Sequence, residues 1–444
     1  MTILTLSHKL RYSIPVLGLL LAVPGAAAST PASGSTLERI SVREDGNQLT
    51  QPSGFSSIAA GGSAIAFLSD ASTLVPGDTN SAGDVFVYDR DTKKVERVSV
   101  SSGGDQLLGP YGEDTHTDIS ANGRWVVFST SSPGLVEGDS NGTGDVFVHD
   151  RAAHTTTLVS AAPDGTPGNG ASFEGVISDS GRYVGFQSVA TNLSDVRLPD
   201  TPAPVVRSYV RDLTTGKIRL VGVSSEGVPA NNHTTGISLS ADGRYAAFDS
   251  PATNLVPGDS NNRSDVFVRD LFLERTRRIS LSSKEAQAKG GSSESSISGD
   301  GRYVAFMSDA PNLVAGDTNR KLDVFVRDLL KGTTRRVSVS SSGSQANGMS
   351  FFPHLAAARP VVVFVSRASN LVKPASSLDH IYRHNWETGR TIRVDGTPSG
   401  VPGNDISYRA DVSSSGRLIT FSSRASNLVP RDTNDVSDVF LWRM

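Results

Sequence analysis

The chain has 444 residues, a formal net charge of −3, 43 glycines, 22 prolines and no cysteine. The near balance of charge gives no basic bias and argues against nucleic acid as a partner. The absence of cysteine excludes disulfides, a lipid-modified cysteine and any thiolate metal site, so the fold must hold by packing alone.

The N-terminus carries Lys9 and Arg11, an apolar run over 14–23, and then Pro24-Gly25-Ala26-Ala27-Ala28-Ser29. A charged start, a short apolar core and small residues of the A-x-A type describe a secretory signal peptide over 1–28, with cleavage after Ala28. The run is about half of the roughly 20 residues that a membrane span requires. The mature chain is therefore expected to be exported, periplasmic or extracellular, without a membrane span. Residues 29–37, small and polar, read as a short leader.

From 38 onward one phrase recurs. Aligning on the phenylalanine that ends its first apolar run gives Phe67, Phe128, Phe186, Phe248, Phe306, Phe364 and Phe421. Self-similarity at a fixed long period signals a repeat architecture, and seven consecutive units make 38–444 one domain despite its length. Each unit opens with a strand, here called d, expected at 38–42, 96–100, 157–160, 219–223, 278–281, 336–339 and 392–395 from its alternation and β-branched residues. A Gly/Ser/Asn-rich loop, an inner strand a and a tight turn follow. Asn122-Gly123, Asp242-Gly243 and Asp300-Gly301 supply the positive φ that two-residue hairpins need. Strand b is a near-continuous apolar run such as WVVF at 125–128, as expected of a strand covered on both faces. A polar loop with Asn-Leu-Val-x-Gly-Asp-Thr-Asn leads to strand c, Asp-Val-Phe-Val followed by Arg-Asp.

Four strands per unit, seven times, give an all-β fold: a seven-bladed β-propeller with four antiparallel strands per blade. Because the chain begins with a d strand and ends with a c strand, the N-terminal strand is expected to complete the last blade, with 39–42 beside 439–441. Units three and six are degenerate, with LSDVRLPDTPAPVV at 193–206 and KPASSLDH at 373–380 in place of the usual loop.

The phrases SGDGRYVAF, SADGRYAAF and DVFVRDL resemble the TolB-type propeller repeats of bacterial envelope and secreted proteins, over essentially all of 38–444. That resemblance implies a β-propeller and leaves the function open. No G-x-S-x-G elbow occurs, so a serine hydrolase of that type is not expected.

Three sets of residues are candidates for chemistry. The first is Asp-x-Asn-x-x-x-Asp in five b–c loops: Asp78, Asn80 and Asp84; Asp139, Asn141 and Asp145; Asp259, Asn261 and Asp265; Asp317, Asn319 and Asp323; Asp432, Asn434 and Asp438. Hard cations such as calcium take several oxygen ligands from one short loop. Asx residues also cap turns through their own backbone, so calcium and turn-capping both stay open. The second pairs the strand-b arginines 124, 182, 244, 302 and 417 with the acids after strand c, Asp89, Asp150, Asp212, Asp270 and Asp328, read as scaffold bridges.

The third is where the units disagree. Counting back from the residue that ends strand a, the second column holds Ser57, Asp118, Val176, Ser238, Ser296, His354 and Asp411. The fourth holds Phe55, His116, Glu174, Gly236, Glu294, Phe352 and Arg409. In a period-2 strand these columns share a face, and in a propeller that face lines the central channel. His116, Asp118, Glu174, Glu294, His354, Arg409 and Asp411 are thus the expected ligand-binding rim. The function expected is a monomeric, non-catalytic module binding a protein, peptide or glycan, with calcium left open as a stabilising cofactor and no other cofactor expected. The alternative is a propeller enzyme, a polysaccharide lyase or glycosidase, acting at the channel mouth.

Overall fold

The computed structural model describes residues 35–108, 116–199, 201 and 203–444. The expected signal peptide and the start of the leader lie outside them. The molecule is a ring of seven four-stranded antiparallel sheets. Blade five runs a (Ser292–Ile297), b (Tyr303–Ser308), c (Asp323–Asp328) and d (Thr333–Arg336). The degenerate unit six builds the same blade from Ser350–Leu355, Val361–Ser366, His380–Asn385 and Arg390–Arg393, and unit three is likewise complete. No helix long and apolar enough to cross a membrane occurs among the described residues.

The local chemistry explains why this phrase folds so. At the a–b turn of blade five Gly301 has φ 70°, and the Asp300 carboxylate accepts from Ser298 Oγ at 2.6 Å and Arg302 N at 3.0 Å. A Cβ on Gly301 would stand 2.3 Å from the Tyr245 ring of the preceding blade, so the position needs both the freedom and the small size of glycine. Each repeat phenylalanine lies opposite an aromatic residue of strand c. The centroids are 5.6–6.0 Å apart, from Phe248–Phe267 to Phe364–Tyr382, and these rings are fully buried. Burying each such ring is worth about 1.5–3 kcal/mol, so these pairs form the centre of every blade.

The d strands are displaced from expectation. They occupy Thr36–Arg39, Val95–Arg97, Thr155–Leu158, Ile218–Leu220, Arg275–Arg278, Thr333–Arg336 and Arg390–Arg393, shifted toward the N-terminus by one to three residues. The first residue beyond each still donates to strand c, as Ile40 N does to Val439 O at 2.8 Å, and the next residues leave the ladder. Ile40 and Ser41 are fully buried as the chain crosses to the next blade, and Val42 forms only an isolated bridge with Gln48. Burial at the crossing, with one remaining backbone bond to strand c, accounts for the β-branched pattern there.

Closure occurs as expected but in that shifted register. Thr36–Arg39 pairs with Asp438–Arg443 from Thr36↔Arg443 to Arg39↔Phe440, completing blade seven, so its first residues fall inside the expected leader. Four of the expected arginine bridges form: Arg124–Asp150, Arg182–Asp212, Arg244–Asp270 and Arg302–Asp328, at 2.5–2.8 Å. Each of these guanidinium groups also lies over the aromatic ring next to it in sequence. Asp89 instead faces Arg151 of the next blade at 3.9 Å, because blade one has Ser63 where the arginine would stand.

Candidate functional site

The a strands contact one another around the centre of the ring. In six blades strand a carries a bulge where its pairing with strand b skips one residue, as between Ser293↔Met307 and Ser296↔Ala305. The residue at the skip is the fourth column. Phe55, Glu174, Glu294, Phe352 and Arg409 all have φ between 50° and 53° there, and Gly236 has 63°. Left-handed backbone costs an L-residue about 1–2 kcal/mol, so five such side chains are held in a demanding position by the surrounding ring. Third-column residues such as Gly175, Ile237, Pro353 and Ala410 are buried between blades, while the second and fourth columns are mostly more open. The two columns therefore lie mostly on the more open side of strand a.

Much of the second column is occupied in holding the ring. The Asp411 carboxylate accepts from Ile58 N of blade one at 2.9 Å and from Val412 N at 2.7 Å. Asp118 accepts from Ile177 N of blade three at 2.8 Å and from Ile119 N at 2.8 Å. Ser238 Oγ accepts from Ile297 N and Ser296 Oγ from Leu355 N, each in the following blade. Both aspartates converge on Ser57, whose Oγ lies 2.7 Å from Asp118 and 3.0 Å from Asp411.

His354 Nδ1 stands 3.6 Å from Asp411, with about half of its side chain exposed to the channel. Burial works against the imidazolium, but the Asp411 carboxylate more than offsets it, and the His354 pKa is raised. Asp411 is correspondingly lowered: burial opposes its charge, and His354 with the Ile58 and Val412 N–H groups overcomes it. Burial pushes Asp118 up to about 6, with the nearby Asp411 charge adding to it. His116 Nδ1 donates to Gly175 O at 3.3 Å, and burial, then Arg409, pushes its pKa down to about 4.

The fourth column divides the channel mouth. On blades six, seven and one, the Arg409 guanidinium lies 5.1 Å from the Phe55 ring centroid and 5.6 Å from that of Phe352. It makes no hydrogen bond and no ion pair with any described residue and is exposed. The opposite half is acidic. Glu174 and Glu294 are exposed there, and Gln187 donates to Glu174. In blade four Gly236 leaves its column empty, and the Asp249 carboxylate of strand b takes the space: a Cβ on Gly236 would sit 2.1 Å from Asp249 Oδ1. Asp249 accepts from Thr235 Oγ1 at 2.7 Å and Glu294 N at 3.2 Å, and burial, with Glu174 nearby, raises it to about 6. The columns did not identify Asp249 or Gln187; the signal was a polar residue in an otherwise apolar b strand, YAAFDS and YVGFQS.

The Asp-x-Asn-x-x-x-Asp loops are wired internally. Asn80, Asn141, Asn261, Asn319 and Asn434 each donate to the last aspartate of their loop at 2.6–3.0 Å. Strand-d arginines meet the first and last aspartates in four loops: Arg97 with Asp78 and Asp84, Arg278 with Asp259 and Asp265, Arg336 with Asp317 and Asp323, and Arg39 with Asp432 and Asp438. Blade two differs. Leu158 and Pro167 stand where other blades have that arginine and a glutamine, and burial raises the pKa of Asp139 and lifts Asp145 to about 7. Among the described residues no three His, Asp or Glu side chains are grouped to hold a metal ion.

No protein-family model matches the chain, and no curated protein matches it in sequence. Solved structures match it in fold. An oligogalacturonate lyase in complex with manganese is 12% identical, with 94% of this chain and 96% of that one covered, at a TM-score of 0.54. The β-propeller domain of the trilobed protease from Pyrococcus furiosus is 8% identical over 88% and 95%, at a TM-score of 0.52. TolB from Acinetobacter baumannii is 13% identical over 82% and 76%, at a TM-score of 0.41.

Proposed function

We propose that this chain is an exported, monomeric propeller that binds a protein, peptide or glycan at its channel mouth through an acidic group of the ligand, without catalysing a reaction on it. The observation that carries this reading is Arg409. Most other charged groups of the ring are engaged by backbone N–H groups or by one another, whereas this guanidinium is presented between two aromatic rings with its five N–H donors unused by the described residues. A planar fork so placed suits a carboxylate bidentately, with Phe55 and Phe352 offering apolar faces to the adjoining part of the ligand. The acidic half, Glu174, Asp249 and Glu294, favours a ligand that also carries a cation or many hydroxyls.

Binding of the chain to arrays of acidic, basic and neutral peptides and oligosaccharides tests this, followed by titration of the best ligand. Carboxylate-bearing ligands are expected to lead, and Arg409→Met is expected to weaken them by tenfold or more. Absence of any ligand, or affinity unchanged in Arg409→Met, overturns the reading. Calcium would bind at the blade-two loop alone, where no arginine competes with the cation for Asp139 and Asp145, and the titrations are run with calcium and with chelator.

A second reading, an enzyme acting on polysaccharide at the channel mouth, is favoured by one observation: Asp118 and Asp411 meet on one hydroxyl beside His354. Carboxyl pairs about 5–5.5 Å apart serve retaining glycosidases. Against this, the oxygens of both are already filled by backbone N–H groups, which suits holding the ring more than attacking a sugar.

A further inference from the structure

In five blades three side chains tie the b–c loop to strand c and to the coil after strand d. In blade five Asn319 donates to Asp323 Oδ2 at 2.8 Å, Ser338 Oγ donates to Asp323 Oδ1 at 2.5 Å, and Val324 N donates to Ser338 Oγ at 3.1 Å. Blades one, two, four and seven repeat this asparagine–aspartate–serine relay. Blade six keeps the three positions and changes all three residues to Ser376, His380 and Asp395. Ser376 Oγ lies 2.6 Å from His380 Nε2, and His380 Nδ1 lies 2.7 Å from Asp395 Oδ2. His380 and Asp395 are fully buried; Ser376 is partly exposed on the loop.

We propose that Ser376, His380 and Asp395 are a nucleophile, its base and the carboxylate that orients the base, and that they hydrolyse small acyl esters. An ionised carboxylate only accepts, so Nδ1 carries the imidazole hydrogen toward Asp395 and the Nε2 lone pair is left to accept from Ser376 Oγ–H. That is the order of roles by which such a triad is recognised, independently of fold or sequence position. The Asp395 carboxylate is further fixed by Ile381 N at 3.0 Å. The loop is pinned by Arg393, which donates to Pro374 O at 2.9 Å, and Leu378 N–H points at Ser376 Oγ from 3.4 Å. Turn-holding alone does not account for the exchange, because asparagine, aspartate and serine meet that need in five other blades. A histidine at 380 also requires an acceptor in place of the usual serine.

The reaction balances without a cofactor. Ser376 Oγ bonds to the ester carbonyl carbon as its proton passes to Nε2; the C–O bond to the alcohol breaks, and the departing oxygen takes that proton. Water then repeats the sequence on the acyl-serine, releasing the carboxylic acid and restoring Ser376. Because Ser376 lies on an open loop, the substrates are small esters approached from solvent.

The full chain is treated with a fluorophosphonate probe and assayed with p-nitrophenyl acetate. A single adduct on the peptide containing Ser376 is expected, with hydrolysis at least tenfold above that of Ser376→Ala, which should fold and melt much as the parent does. No adduct, or adduct and hydrolysis unchanged in Ser376→Ala, overturns the proposal. A second measurement does not depend on ester turnover. The chain has no cysteine, so Ser376→Cys and Ser377→Cys each present one thiol, and iodoacetamide at pH 6.5 should alkylate the first at least fivefold faster. Equal rates would show that His380 is not acting as a base.

Discussion

Ser57 has one hydroxyl hydrogen, yet its oxygen touches two carboxylates. If both were ionised, one contact would set lone pair against lone pair, so a second proton completes the bridge. It belongs on Asp118, which burial raises to about 6, while Asp411 is held low by His354 and backbone N–H groups. The sign follows from linkage. Between the unfolded value near 4 and the folded value near 6 the native state binds more protons, so this group's contribution is fully present below about pH 4 and is lost as pH rises to 6. Asp118→Asn imitates the protonated form. Thermal melts at pH 4 and pH 7.5 should show the variant gaining on the parent at the higher pH, by of order 1–3 kcal/mol. The same difference at both pH values would place the second proton elsewhere. Sequence columns brought these residues to one face, but the shared proton was not legible in them, because it depends on Ser57 of blade one standing between blades two and seven.

At the scale of strands, the outer edge of a blade is exposed ladder, open to pairing with another chain. A serine from the preceding unit closes it in four blades. Ser283 Oγ accepts from Thr334 N at 2.9 Å and donates to Thr334 O at 3.2 Å, and Ser102, Ser225 and Ser341 do the same to Thr156, Thr276 and Thr391. Glu44, Pro163 and Pro398 stand at the equivalent places facing the other three edges, two of which are strands of only three residues, Val95–Arg97 and Ile218–Leu220. Each serine is expected to contribute about 0.5–1.5 kcal/mol. Replacing all four by alanine should lower the melting temperature by several degrees and speed light-scattering growth on heating. Unchanged aggregation kinetics would show that the edges are protected otherwise. In the sequence these serines looked like loop composition, since their partners lie 51 or 54 residues away or thereabouts in another blade. The d strands lie N-terminal to their β-branched pattern for a related reason: alternating β-branched residues mark burial, and here the buried stretch is the crossing between blades.

For the whole ring, what the sequence made legible is what repeats: hairpin glycines, the phenylalanine of strand b, and a phase that begins in d and ends in c. What it hid is what crosses blades or appears once, such as Asp249 under Gly236 or Ser376 against His380. Closure can be tested directly. Removal of residues up to 42 takes away the four pairings of Thr36–Arg39 with the last strand, the fully buried Ile40, the Arg39 bridges to Asp438 at 3.0 Å and Asp432 at 3.2 Å, and the Ser41 bond to Asp438 at 2.6 Å. Ile40 alone is worth about 1.5–3 kcal/mol, and Asp438 would keep a buried charge without its arginine, which costs several kcal/mol more. The midpoint of thermal unfolding should fall by about 10 °C or more, and Arg39→Ala by less. An unchanged midpoint in the truncated chain would mean that packing between blades one and seven, through Ile58, Ile65 and Val439, closes this ring and that the strand only decorates it. Recovery of the lost stability on adding a peptide of residues 29–42 in trans would assign the loss to the pairing itself.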